Sequence, residues 1–247
     1  MSKAKFNYQT GDGIEWAKWS WNPVTGCLGP DGKGPCNYCY ARDRANRYNI
    51  NTHDNFEPTF HPDRLNAPKN TKIPKGRENE PGIRNVFTVS MGDLFGYFIP
   101  PDWIGQIFQV IYENPQWNFI LLTKNPKRYL QFKFRPNCWI GATADTQARA
   151  DVALDVFGKL NVPNIKFLSC EPLSENVSLG STALSRFPAV PIDWLIIGGR
   201  SKSTGSPAMQ PKWEWVENLL YQARVFGIQV YFKPNLTVRP KEFPHGR

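Results

Sequence analysis

The chain has 247 residues, 40% of them hydrophobic and 14% aromatic, with nine Trp, five Cys and a formal net charge of +9. Such a length and composition suit one large domain with a real core, a size that α/β barrels commonly reach, and the basic balance favours a polyanionic partner, nucleic acid first, or simply a basic surface. Five cysteines, three of them clustered, exclude a disulfide framework and fit a reducing cytosol. No apolar run approaches the about 18 residues that cross a membrane, and residues 1–6 lack the apolar core of a signal peptide. A cytoplasmic protein that makes no use of a membrane is therefore expected.

Taken in order, residues 1–13 read as a loose polar arm and residues 16–21 as a first strand, stopped by Pro23. Next comes a loop carrying Cys27, Cys36 and Cys39 at C-x8-C-x2-C spacing. Residues 38–48 follow as a helix, with Ala41, Arg42, Arg44, Ala45 and Arg47 all good helix formers. Residues 49–84 are rich in Asn, Pro, Lys and Arg and show little periodicity. They read as a long basic loop, either a flap over a substrate or a solvated connector. From residue 86 onward, short continuous apolar runs alternate with helical stretches. The strands are expected at residues 86–90, 119–123, 138–143, 166–170, 194–197 and 228–232. The helices are expected at 101–113, 146–160 and 211–226, with a short one opening at 124–128. Asp145 is the expected N-cap of the 146–160 helix, and Gly227 stops the last one. Strands that are apolar without alternating, interleaved with helices, indicate a parallel sheet covered by helices. Periodicity does not separate a doubly wound sheet from a barrel. No linker divides the chain, so one domain spanning 1–247 is expected.

The cysteine loop carries the most chemistry. Three nearby thiolates suit a soft metal or an iron–sulfur cluster. Structural zinc closes its shell with four protein ligands, and His53 or His61 is available in the following loop. A [4Fe-4S] cluster held by three cysteines keeps one iron open. In a parallel α/β barrel the strand C-termini meet at one mouth. Here they bring together Gly92-Asp93, Thr123-Lys124, Thr143, Ser169, Glu171 and Gly198-Gly199-Arg200. Lys124 and Arg200 would add positive charge for an anionic substrate. Cys170 is either a thiol near the mouth, able to give a hydrogen atom to a substrate in the radical chemistry that the resemblance described below implies, or a buried core residue. Cys138, at the other end of its strand, reads as core.

The stretch Asn22-Pro23-Val24-Thr25-Gly26-Cys27, with Cys36-Asn37-Tyr38-Cys39-Tyr40-Ala41-Arg42, resembles the cluster loop of radical S-adenosylmethionine (SAM) enzymes of the spore photoproduct lyase type. From about residue 14 to 232 the chain resembles a phage-associated family of three-cysteine, radical-SAM-like proteins. That likeness includes Glu15-Trp16, Phe167-Leu168-Ser169-Cys170-Glu171-Pro172-Leu173, Asp193-Trp194-Leu195-Ile196-Ile197-Gly198-Gly199 and Tyr231-Phe232-Lys233. The family loop is C-x3-C-x2-C, whereas the first gap here is eight residues, Gly/Pro/Lys-rich in composition. The resemblance implies a partial TIM-like (β/α) barrel and a [4Fe-4S] cluster on Cys27, Cys36 and Cys39. It also implies SAM, cleaved reductively to a 5′-deoxyadenosyl radical that acts on a substrate of the nucleic-acid or nucleotide class. Tyr38 would pack near the adenine. Met91-Gly92-Asp93 stands where the family has the Gly-Gly-Glu segment that holds the SAM amino group. Thr143 and Asp145 would face ribose or carboxylate, and Glu171 would accept from SAM or substrate. An electron donor such as flavodoxin or ferredoxin is implied as partner. The contrasting expectations are a zinc-stabilised nucleic-acid-binding protein without radical chemistry, and a cluster protein that serves a protein partner without cleaving SAM.

Overall fold

The computed structural model describes residues 3–10, 14, 16–48, 56–180 and 190–238. Its elements are β1 (Asn7–Tyr8), β2 (Trp19–Trp21), β3 (Val24–Thr25), α1 (Tyr40–Arg47), β4 (Thr59–Phe60), α2 (Ala67–Asn70), β5 (Asn85–Thr88), α3 (Pro101–Glu113), β6 (Asn118–Thr123), β7 (Cys138–Thr143), α4 (Gln147–Lys159), β8 (Lys166–Cys170), β9 (Trp194–Ile197), α5 (Trp213–Val225) and β10 (Gln229–Phe232). Eight strands form one sheet in the order β1-β2-β5-β6-β7-β8-β9-β10. Every neighbouring pair is parallel except β1 with β2. Among the described residues the terminal strands β1 and β10 do not pair with each other, so the sheet is open and no closed barrel forms.

Alternation along each strand sorts the side chains into two apolar layers. Phe119, Leu121, Ile140, Ala142, Leu168, Cys170, Leu195 and Ile197 join the apolar faces of the helices, including Ile104, Ile107 and Ile111 of α3, Leu154 and Phe157 of α4, and Val216 and Leu219 of α5. The residues between them, Phe87, Ile120, Phe167 and Ile196, form the opposite layer with Trp16 and Ala17. Trp194 and Trp139 pack onto it edge to face, with ring centres 5.7 Å apart. A sheet buried on both faces needs apolar residues at both parities, which is why these strands read as unbroken apolar runs.

Three local expectations change. The arm is not loose throughout, because Asn7 and Tyr8 pair with Ser20 and Trp19 and Phe6 is buried against Trp117 and Phe119. The long loop folds onto the body where it is described, from residue 56. Trp21 donates to the Arg64 carbonyl at 2.9 Å, Arg64 donates to the Asn22 carbonyl at 2.9 Å, and Trp117 donates to the Pro68 carbonyl at 3.2 Å. Residues 49–55, His53 among them, lie outside the described residues. The cap of α4 is Thr146, whose hydroxyl accepts from the Arg149 N–H at 3.4 Å. Asp145 is thereby left for another role.

Cys138 lies on the helix-covered face, 1% exposed. Burial pushes its thiol from 9.0 up to about 12. Between those values the unfolded chain ionises while the folded chain keeps the proton, so the unfolded state binds fewer protons and stability falls as pH rises. Below pH 9 the effect vanishes. Denaturant unfolding across pH 8–12 is expected to show this loss, and Cys138→Ala is expected to remove the part that belongs to this thiol.

Candidate functional site

The strand C-termini and the cysteine loop enclose one pocket of about 360 Å3. Its walls include Cys27, Cys36, Tyr38, Cys39, Gly92, Asp93, Lys124, Thr143, Glu171 and Arg200. Of the residues singled out from the sequence for this mouth, Asp145, Gly198 and Cys170 are not among its walls. Cys170 is fully buried in the helix-side layer. Its neighbour Ser169 lines the pocket instead. One residue of strand parity separates the two faces, so the group offered to a ligand here is a hydroxyl and not a thiol. Burial drives the Cys170 thiol far up its range.

The loop is anchored by Asn22, the first residue of the motif, to which the sequence assigns no separate role. Its side-chain oxygen accepts from Ser90 N at 2.7 Å and Met91 N at 2.8 Å. The next link is at Gly26, which donates to the Met91 carbonyl at 2.8 Å and bridges to Gly92. A side chain on Gly92 would come within 2.7 Å of the Gly26 carbonyl, so glycine there permits two backbones to touch. Cys27 N then donates to the Phe56 carbonyl at 2.8 Å. The loop is thus tied to the end of β5 and to the chain before β4.

The thiols share one environment. None is in a disulfide, and all three are half-buried. Burial first, then Asp93, Cys39 and Cys36 push Cys27 up to about 12, against a 3.2 Å hydrogen bond from Gly29 N. Cys39 caps α1, with its sulfur accepting from Arg42 N at 3.4 Å. Burial also raises its pKa, opposed by N–H donors and Lys124. Two of the three sulfurs, Cys27 and Cys39, thus accept a backbone N–H. Among the described residues, no group of three or more His, Cys, Asp or Glu converges to hold a metal ion. His61 is engaged elsewhere, with its Nε2 2.8 Å from the Thr25 hydroxyl.

Around the thiols, most polar groups already have partners. Asp93 accepts from Phe95 N (3.0 Å), the Thr123 hydroxyl (2.7 Å) and Lys124 N (3.0 Å). Its carboxylate therefore organises the ends of β5 and β6 before any ligand arrives. Glu171 pairs with Lys233, the last residue of the Tyr231-Phe232-Lys233 stretch, to which the sequence assigns no role of its own. Tyr38 donates to Asp145, which also accepts from Arg149 at 2.5 and 2.6 Å. Asp145 is 2% exposed, so this trio fastens the Cys36–Cys39 segment to the end of β7. Burial, outweighing the pull of Lys124, puts the Tyr38 phenol at about 12. Lys124 lies over the Tyr38 ring, 5.6 Å from its centre. Burial works against its ammonium, but Tyr38, Cys36, Asp145 and Asp93 together hold its pKa above the usual lysine value. Lys124 makes no ion pair among the described residues and lies near Cys36 and Cys39. Arg200 donates from Nε to the Pro207 carbonyl at 2.9 Å.

Fold and site together define a mixed α/β protein with a mostly parallel sheet and a thiol-rimmed pocket at the strand C-termini. The chain belongs to the family described as "Protein of unknown function (DUF5131)", whose model matches residues 11–242. No curated protein matches the chain, and no solved structure matches it. Among the described residues, no helix is long and apolar enough to cross a membrane.

Proposed function

We propose that the protein is a radical-SAM-type iron–sulfur enzyme with a partial-barrel architecture. In this reading Cys27, Cys36 and Cys39 hold a [4Fe-4S] cluster, and the pocket in front of them receives SAM. The observation that carries the reading is the gathering of all three thiols around one pocket at the parallel strand ends. A cluster takes its thiolates at separate irons, whereas a zinc ion draws every sulfur to about 2.3 Å from one centre. Three protein thiols around an open pocket would leave one cluster iron free for a ligand, whereas structural zinc takes four protein ligands. A bound cluster, reduced by an external donor such as a flavodoxin or ferredoxin, would supply the one electron for reductive cleavage of SAM to methionine and a 5′-deoxyadenosyl radical.

The chain's own groups have definable tasks. Lys124 offsets the negative charge of the thiolates. Tyr38, pinned by Asp145, presents a ring of fixed orientation. With Lys124 over one face, a base would stack on the other. Thr143 and Ser169 offer hydroxyls from the sheet. Arg200 gives the mouth a cation for an anionic substrate, for which nucleic acid or a nucleotide is the proposed class.

The test is anaerobic iron and sulfide analysis, with EPR spectra in the presence and absence of SAM. About four irons and four sulfides per chain, with a signal that SAM perturbs, are expected. A cluster indifferent to SAM would instead support a protein that serves a partner, and stoichiometric zinc without iron would overturn the proposal.

A further inference from the structure

The segment after β9 doubles back on itself. Arg200 and Met209 exchange backbone hydrogen bonds of 2.8 and 2.9 Å, and Ser203 pairs with Ser206 across a Thr204-Gly205 turn. The base of this hairpin is fixed. Asn235 donates to the Gly199 carbonyl at 2.8 Å, and Gln210 donates to the Asn235 carbonyl at 2.8 Å and accepts from Thr237 N at 2.8 Å. Its tip reaches across the pocket mouth to the cysteine loop. Thr204 N donates to the Asp43 carboxylate at 2.5 Å, and the Ser203 hydroxyl donates to the Asn37 carbonyl at 3.4 Å. Gly205 presses on the same carbonyl so closely that a Cβ there would lie 2.5 Å from the Asn37 oxygen and 3.1 Å from Arg42 Nη2.

Asn37 lies between Cys36 and Cys39, and Asp43 lies in the first turn of the helix that Cys39 caps. The Tyr38–Asp145 contact holds this segment from the β7 side. The hairpin holds it from the β9 side, where the preceding residues 28–35 contribute no helix or strand. We infer that the 200–209 hairpin is a latch that positions Cys36 and Cys39, with Gly205 and Asp43 as its positioning residues. The inference concerns the thiols as ligands and so rests on the proposed function. The latch itself is a property of the metal-free chain. Breaking it frees the thiol segment locally, without opening the sheet, because the tip buries no apolar core.

The test measures iodoacetamide alkylation of each cysteine by mass spectrometry in metal-free native protein, alongside the denaturation midpoint. Gly205→Ala and Asp43→Ala are each expected to speed labelling of Cys36 and Cys39 about tenfold, with an unchanged midpoint and with Cys138 and Cys170 still unlabelled. Asp43→Asn keeps an acceptor for Thr204 N and is expected to restore slow labelling. Unchanged rates in both disruptive variants would overturn the latch. So would faster labelling that extends to Cys138 and Cys170, because that reports general loosening. Iron uptake, measured in parallel, separates the two ideas: wild type that takes up no iron defeats the cluster proposal, while the alkylation rates still report on the latch.

Discussion

Gly26→Ala is expected to destabilise the protein by about 2–5 kcal/mol, since left-handed backbone strain and overpacking add together at this residue. Gly26 has φ +88°, and a Cβ would sit 2.0 Å from the Glu57 carbonyl oxygen and 2.7 Å from that of Phe56. Neither oxygen is the end of a flexible side chain. Phe56 itself holds a positive φ of 66° while buried, and its carbonyl receives the Cys27 N–H. Displacing this strip therefore moves Cys27 together with the chain before β4. Denaturant titration of the variant measures the cost, and alkylation of Cys27 shows whether the thiol has been released. A loss below about 0.5 kcal/mol, the range of an inconsequential surface change, would mean that the three backbones do not approach as described.

Cys36→Ala is the second large effect, on cofactor retention instead of stability. Cys36 is half-buried and its sulfur makes no hydrogen bond among the described residues, so the unfolding free energy is expected to change by less than about 1 kcal/mol. Under the proposed function, the same substitution removes one of three ligands. Iron and sulfide per chain are expected to fall to background, and the EPR signal to vanish. A variant that keeps wild-type iron would show that Cys36 is no ligand. Wild type that holds zinc, and loses it in the variant, would leave the zinc-stabilised nucleic-acid-binding reading in place.

Most of the fold was legible from residue patterns. The seven parallel strands lie within a few residues of their expected places, because a strand buried on both faces appears as a continuous apolar run bounded by turn residues. Helix α3 was equally clear, since Pro101 opens it and Ile104, Ile107 and Ile111 mark its buried stripe. The pocket was readable at the level of which segments meet, because parallel strands place their C-termini at one end. The partners of each side chain were less accessible. Asp93 and Glu171 look like free acceptors in the sequence, yet Asp93 is occupied by Thr123 and two backbone N–H groups and Glu171 by Lys233. Cys170 and Ser169 could not be assigned to a face without the register of β8 against β7 and β9. Asn22 could have been suspected, since an Asn before Pro at a strand end often hydrogen-bonds the neighbouring backbone.

The sequence by itself determined the local properties: apolar period, helix and strand identity, and the presence of three thiols within a short loop. Each depends on residues a few positions apart, where covalent geometry sets the distances. Only the tertiary structure decided that Tyr38 is tied to Asp145, 107 residues away, that the 200–209 hairpin reaches Asn37 and Asp43, and that Lys124 lies beside the sulfurs. Such contacts depend on the register and packing of separate elements. A shift of one residue turns a side chain to the opposite face, so short-range patterning leaves them open until the whole sheet is assembled.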